Sequence, residues 1–357
     1  MFALLAIKEL LRSRPDTRCL VVVPTTALLD QWFLTFQDEW GLAESEIKVL
    51  RGNDLIPDAF INLVVINTAR RLQDFEFSHN EILLIVDECH RAGSIKNSQC
   101  LIPGTLGAIG LSATPFRDFD DGFQEYVEPV LGPILLKYTL QDAINDGVLV
   151  DLKLTYVKVP FLGSEQRRYD ELSRRIALAL NNKDTSQERL EAILRQRARV
   201  YNNAFYRLPA TASILESNRG KRALVFVEAI EKAQELRETL EGLGHSVTIY
   251  HSKISDSFRR SNLRGFRSGI FDVLIACRAL DEGFNVPEAE LAVIAAGTSS
   301  KRQRIQRIGR ILRTLSGKNL GEVYTLYCSP VEERRLILEA EEFESVVGTR
   351  WSVIEID

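Results

Sequence analysis

Three features of this 357-residue sequence predict an α/β fold built on parallel sheets. Short apolar runs recur that are continuous rather than alternating, the pattern of strands covered on both faces. Stretches of helical periodicity separate them, which makes a βαβα series. The series stops at an Arg- and Glu-rich stretch and then restarts, so the chain divides into two domains, as its length also suggests.

The opening "MFALLAIKELLRSRP" places Leu4, Ile7 and Leu11 at helical spacing, with a basic end before Pro15. It is an amphipathic helix. Lys8-Glu9 interrupts the apolar run and no basic segment precedes it, so it is not a secretory signal. No apolar run in the chain is long enough to span a membrane. The strands expected next are "CLVVV" (19–23), "NLVVI" (62–66), "ILLIV" (82–86) and "AIGL" (108–111), with "TALLDQWFLTFQDEW" as a helix after the first. The second series is "ALVFV" (223–227), "SVTIY" (246–250), "FDVLIA" (271–276), "LAVIAA" (291–296) and "EVYTLY" (322–327). Between them, 164–218 reads as helical, with "RRYDELSRRIALAL" and "QERLEAILRQRARVYNNAFYR". The expected organisation is a first domain over 1–160, a helical connector over 161–218 and a second domain over 219–357.

A net charge of −4 is mild, so nucleic-acid binding must be argued from local patches rather than from the whole chain. Cys19, Cys89, Cys100, Cys277 and Cys328 form neither CxxC pairs nor a disulfide framework. With only four histidines a zinc site is not expected. The compartment read from this is reducing and cytoplasmic, or nuclear or nucleoid-associated.

The chemistry concentrates at strand ends. "ILLIV" runs into Asp87-Glu88, an adjacent carboxylate pair suited to a Mg²⁺ ion and an attacking water, because a hard cation takes oxygen ligands. Taken alone, the pair reads equally as a solvated strand end or a helix cap. "GLSATPFR" (110–117) puts Ser112 and Thr114 at another strand end, where they could sense that water or simply form the turn before Pro115. "SSKRQRIQRIGRILR" (299–313) carries an apolar stripe, Ile305, Ile308 and Leu312, beside a polar one, Gln306, Arg310 and Arg313. Two such arginines suit phosphate oxygens, whereas a solvated basic face is the plainer reading. "CRALDEGFNVPEA" (277–289) turns at Gly283 and Pro287; its acidic pair, Asp281 and Glu282, and Gly283 could meet ribose, metal or backbone phosphate, or form a plain surface loop.

In order, these segments resemble the motifs of the superfamily 2 helicases. "VVVPTTALLDQW" resembles motif Ia, "VDECH" motif II, "LSATP" motif III, "ALVFVEA" motif IV, "ALDEGFNVP" motif V and "QRIGRILR" motif VI. Six motifs in the family's order, across roughly residues 20 to 313, make the likeness specific. The D-E-C-H form and the ending resemble the DEXH-type DNA helicases and translocases of repair and restriction more than RNA DEAD-box proteins. The resemblance implies two RecA-like domains, ATP with Mg²⁺ between them and nucleic acid across them, DNA in preference to RNA. It implies that Asp87 and Glu88 are the metal and water residues and that Ser112 and Thr114 couple the domains. Gln306, Arg310, Arg313, Gly283 and Asp281 would face the nucleotide. Pro24, Thr25 and Thr68 would contact nucleic acid; for Arg71 a plain surface arginine is the better reading. The arginines of "YHSKISDSFRRSNLRGF" (250–266) could touch phosphates or only solvent. A protein partner stays open.

One departure matters. The family's phosphate loop, G-x-x-x-x-G-K-[ST], occurs nowhere in the sequence. Gly220-Lys221 and Gly317-Lys318 lack the earlier glycine and are followed by Arg222 and Asn319. The expectation is a first domain truncated before Met1, a marginal first domain beside a complete second one, and impaired ATP turnover. The function expected is an ATP-dependent DNA helicase or translocase. The alternatives are a catalytically silent binding module and an RNA helicase.

Overall fold

The computed structural model describes residues 2–75, 78–112, 121–138, 142, 146, 151–181, 186–277, 289–296, 320–343 and 348–353. They form two compact units, divided after Tyr138.

The first unit is a parallel sheet of β1 (Arg18–Val23), β2 (Ile47–Val49), β3 (Ile61–Val65), β4 (Ile82–Asp87) and β5 (Gly107–Leu111), in the order β2-β3-β1-β4-β5. The continuous apolar runs become its inner strands because both faces are covered: five of the six residues of β1 and of β4 are fully buried. One face packs Leu20, Val22, Leu84 and Val86 against Leu72, Leu101 and Phe123. The other packs Cys19, Val21, Leu83 and Ile85 against α1 (Phe2–Ser13) and α2 (Thr26–Leu34). Leu4 and Ile7 are the buried stripe of α1, each worth roughly 1.5–3 kcal/mol when removed from water. α2 ends in a π turn, Thr35–Glu39, where the Trp40 amide reaches Thr35 O at 3.3 Å.

The second unit has a seven-stranded parallel sheet, ordered β12-β6-β11-β10-β7-β9-β8. Its strands are β6 (Asp151–Lys158), β7 (Ala223–Val227), β8 (Val247–Tyr250), β9 (Val273–Cys277), β10 (Leu291–Ile294), β11 (Leu320–Tyr327) and β12 (Gly348–Val353). β6 pairs with β11 from Asp151↔Leu320 to Lys158↔Tyr327. The first domain therefore does not run to residue 160: that strand hydrogen-bonds into the second sheet. Lys153 and Thr155 break its apolar run, so a search for continuous runs passes over it.

The stretch expected as a connector is helical but not uniform. After the four-residue α3 (Ile66–Ala69) and α4 (Glu128–Leu131) of the first unit come α5 (Gly163–Asn181), α6 (Gln187–Asn202) and α7 (Arg207–Ser217). α5 and α6 share a small core of Leu172, Ile176 and Ile193. α7 belongs to the second unit, where Leu208, Ala212 and Leu215 pack with the sheet. α8 (Ile230–Gly242), α9 (Asp256–Arg267) and α10 (Pro330–Phe343) complete the unit's helices among the described residues. No described helix is long and apolar enough to cross a membrane. All five cysteines are buried thiols.

Candidate nucleotide and nucleic-acid site

Because β1, β3, β4 and β5 are parallel, their carboxyl ends lie on one edge of the first sheet, where ligands gather in such folds. Four of the expected segments leave from that edge. Pro24-Thr25 follows β1, Ile66–Ala69 follows β3, Asp87-Glu88 ends β4 and Ser112 follows β5.

Asp87 is held at both carboxylate oxygens. Its Oδ1 accepts from the Glu88 amide at 2.9 Å, and its Oδ2 accepts from the Trp32 indole Nε1 at 2.9 Å. Glu88 stands at φ 51° and ψ 47°, the one non-glycine residue with positive φ among the described residues. A left-handed glutamate costs roughly 1–2 kcal/mol, and such strain collects at functional sites. The turn it makes starts a 3₁₀ segment, Cys89–Ala92, with the Arg91 amide bonding Glu88 O at 2.9 Å.

That turn tucks His90 inward. Glu88 and His90 are 8% and 7% exposed. His90 Nδ1 is hydrogen-bonded to Ser112 Oγ at 3.0 Å and lies 3.4 Å from Glu88 Oε2. His90, two residues after Glu88, therefore connects the carboxylate pair to the end of β5. Cys89 points the other way, into the core; burial, then the charges of Glu88 and Asp87, push its thiol up to about 12. Gly110 makes room for it, since a Cβ there would sit 3.2 Å from Cys89 Sγ and 3.0 Å from Leu131 Cδ1.

Thr25 is the N-cap of α2: its Oγ1 accepts from the Leu28 amide at 3.3 Å, in extended backbone at φ −134°. Pro24, Thr25 and Thr68 are half-buried. Arg71 donates to Gly52 O at 3.0 Å and clips a neighbouring loop, in line with a structural arginine. Its neighbour Arg70 was not singled out from sequence, yet it bonds Asn67 Oδ1 at 2.7 Å and also Asn97 Oδ1. Asn97 in turn donates to Arg91 O at 2.7 Å, which ties α3 to the segment after the carboxylates. The paired arginines of "NTARR" were the available signal, and nothing in the sequence separates the two.

In the second unit, Arg259 of α9 is 3% exposed, bonded to Asp256 Oδ1 at 2.6 Å and Ile254 O at 2.8 Å, so this arginine braces its helix. Arg264 is exposed and Arg260 half-buried. Thr114, Asp281, Gly283, Gln306, Arg310 and Arg313 lie outside the described residues.

Among the described residues no cluster of three or more His, Cys, Asp or Glu is arranged to cage a metal. One oriented carboxylate at a strand end instead fits Mg²⁺, which keeps several waters and binds through one or two carboxylates together with substrate phosphates.

The chain is similar to known proteins along both of its units. Residues 1–117 match the family described as "Type III restriction enzyme, res subunit", and residues 206–314 match "Helicase conserved C-terminal domain". The "DNA 3'-5' translocase XPB2" of Sulfurisphaera tokodaii is 27% identical over 320 residues, covering 82% of this chain and 69% of its own length. "UvrABC system protein B" of Thermobifida fusca is 36% identical over 109 residues, 29% of this chain and 16% of that protein. The solved structure "S. cerevisiae Dbp5 bound to RNA and ADP BeF3" superposes with a TM-score of 0.61 at 17% identity, over 95% of this chain and 78% of that one. That likeness establishes the fold: two RecA-like α/β domains.

Proposed function

We propose, from the premise that this chain belongs to superfamily 2 of the helicases and translocases, that its residues serve an ATP-driven motor moving along DNA. The observation that carries this reading is the Asp87–Glu88 pair: a carboxylate fixed at both oxygens beside a glutamate in a left-handed conformation, at the carboxyl edge of a parallel sheet.

ATP with Mg²⁺ supplies the transferable phosphoryl group when bound. Asp87 holds the cation side of the site. Glu88 orients and accepts a proton from the water. Its neighbour His90, bonded to Ser112, reports the state of the carboxylates to the end of β5, and Thr114 shares that coupling role. Arg310 and Arg313 supply positive forks to the phosphates, with Gln306, Gly283 and Asp281 also on the nucleotide. Pro24, Thr25 and Thr68 meet the nucleic-acid backbone. DNA is favoured over RNA because of the D-E-C-H form and the likeness to a DNA translocase.

The 357 residues contain no G-x-x-x-x-G-K-[ST] segment. Its backbone N–H cradle contributes several kcal/mol to phosphoryl transfer. For this polypeptide by itself the reading is therefore slow turnover, and the same observation favours the second reading, a silent nucleic-acid-binding module.

Fluorescence anisotropy with labelled DNA and RNA across a salt series, beside ATP hydrolysis with and without DNA, tests both. Expected are DNA bound more tightly than RNA, an affinity that falls steeply with salt, and turnover near background. Tighter RNA binding would point to an RNA motor. No binding to either nucleic acid overturns the motor reading. Brisk DNA-stimulated turnover, lost in Glu88→Gln, would show the polypeptide active as it stands.

A further inference from the structure

Trp32 lies 55 positions before Asp87, and nothing in the helicase-like motifs assigns its side chain a role. The indole is 9% exposed, and its ring sits 5.6 Å from Phe36 at a 33° tilt. A buried indole N–H needs an acceptor, and a main-chain carbonyl or a water would serve. Here the acceptor is Oδ2 of the carboxylate at the end of β4, at 2.9 Å.

We infer that Trp32 is a positioning residue: its indole N–H fixes the rotation of the Asp87 carboxylate so that it is presented ready-made to a divalent cation. The inference deepens the reading of Asp87 given above and rests on it. The physical case has three parts. The Glu88 amide on Oδ1 sets one side of the carboxylate and the indole on Oδ2 sets the other, so rotation about the Cβ–Cγ bond is blocked by two donors from different elements. A carboxylate offers about four acceptor sites, so one group can accept N–H donors and also ligate a cation. The donor itself is rigid, since Trp32 is wedged in the cluster of Phe33, Phe36, Val23 and Ile85 on a helix anchored by the Thr25 cap. Hydrogen bonds of this kind to a ligating carboxylate typically change metal affinity ten- to a hundredfold.

Trp32→Phe keeps the ring and removes only the donor. Asp87→Asn keeps the side-chain shape and removes the charge. Both are made in the full chain, labelled with ¹⁵N. The chain has three tryptophans, so Trp32→Phe identifies the Trp32 indole resonance by its loss. Asp87→Asn is expected to shift that resonance and leave those of Trp40 and Trp351 in place; an unmoved Trp32 signal overturns the inference. Mn²⁺ alone is then titrated. In the wild type, paramagnetic broadening is expected at the Glu88 amide, absent in Asp87→Asn. In Trp32→Phe the Mn²⁺ concentration giving half-broadening is expected to rise about tenfold. An unchanged midpoint in Trp32→Phe makes the indole a packing residue and overturns the inference alone. No broadening in the wild type removes the divalent site itself, and the inference with it.

Discussion

Two sites of buried charge among the described residues are opposite in character, Asp87-Glu88 in the first unit and Arg207-Glu332 in the second. Arg207 is 2% exposed and each of its three guanidinium nitrogens donates: to Tyr201 O at 2.6 Å, Ala295 O at 2.7 Å, Leu326 O at 2.8 Å and Glu332 Oε1 at 2.6 Å. Glu332 Oε2 accepts from the Cys328 amide, the Ser329 amide and the Ser329 hydroxyl at 3.0–3.1 Å. None of these residues has a positive φ. The pair clips α7 to the ends of β10 and β11 and has no slack. At Asp87-Glu88, by contrast, the carboxylate stands half-buried at a strand end and its neighbour pays for its position in backbone strain. The lesson is that burial of charge does not mark a working site. Strain beside an oriented but accessible group does.

Breaking the structural pair gives the largest expected effect. Glu332→Ala leaves a buried guanidinium without its counter-charge and is expected to cost about 3–5 kcal/mol, read from denaturant unfolding of the second unit. A change of less than about 1 kcal/mol would mean that the main-chain carbonyls alone hold Arg207. The matching change at the strained site has the opposite sign. Glu88→Asn places a residue that tolerates the left-handed region and is expected to raise stability by about 1 kcal/mol, while removing whatever Glu88 does with water. A loss as large as that of Glu332→Ala would erase the distinction between the two sites.

Smaller again is Thr25→Ala, which deletes the cap on α2 and is expected to lower stability by about 1 kcal/mol, with Thr25→Ser restoring it. If Thr25 also meets DNA, the alanine variant binds labelled DNA more weakly than its stability predicts. The smallest effect lies in the thiols. Burial pushes Cys19 and Cys100 up to about 12. At pH 8 about one such thiol in ten thousand is ionised, so alkylation is expected only as fast as the chain opens. Because the folded value lies above the unfolded one, these thiols contribute stability that is present below about pH 9 and lost as pH rises toward 12. Fast labelling of the native chain at pH 8 would show that the cores of the two faces are looser than their packing indicates.

Much of the fold is legible because parallel sheets write themselves as unbroken apolar runs. "ALVFV" is β7 residue for residue, and "ILLIV" misses only Asp87 of β4. The strands that escaped are short or interrupted: three-residue β2, β6 with its Lys153 and Thr155, and β12, whose Arg350 and Ser352 alternate with Thr349, Trp351 and Val353. The candidate site was half legible for a different reason. Asp87, Glu88 and Ser112 sit in local patterns at strand ends. Trp32 and Arg70 act through contacts 55 and 27 positions away, and no local pattern carries a long-range hydrogen bond. Nor does sequence announce that Glu88 is left-handed, since glutamate is a residue that ordinarily avoids that region.

The π turn at Thr35–Glu39 has a consequence for how this segment tolerates change. Residues four apart on a regular helix drift by about 40° at each step, so a third ring in such a row swings about 80° from the first. Trp32, Phe36 and Trp40 are spaced in this way, yet Phe36 still meets Trp40 edge-on at 5.4 Å. The wider turn absorbs one extra residue and slows the drift. Read as an insertion history, it is a seam: removing one residue between Thr35 and Glu39 would restore an ordinary helix, place Trp40 seven positions after Trp32 and about 20° from its direction, and leave Trp32 and its hold on Asp87 where they are.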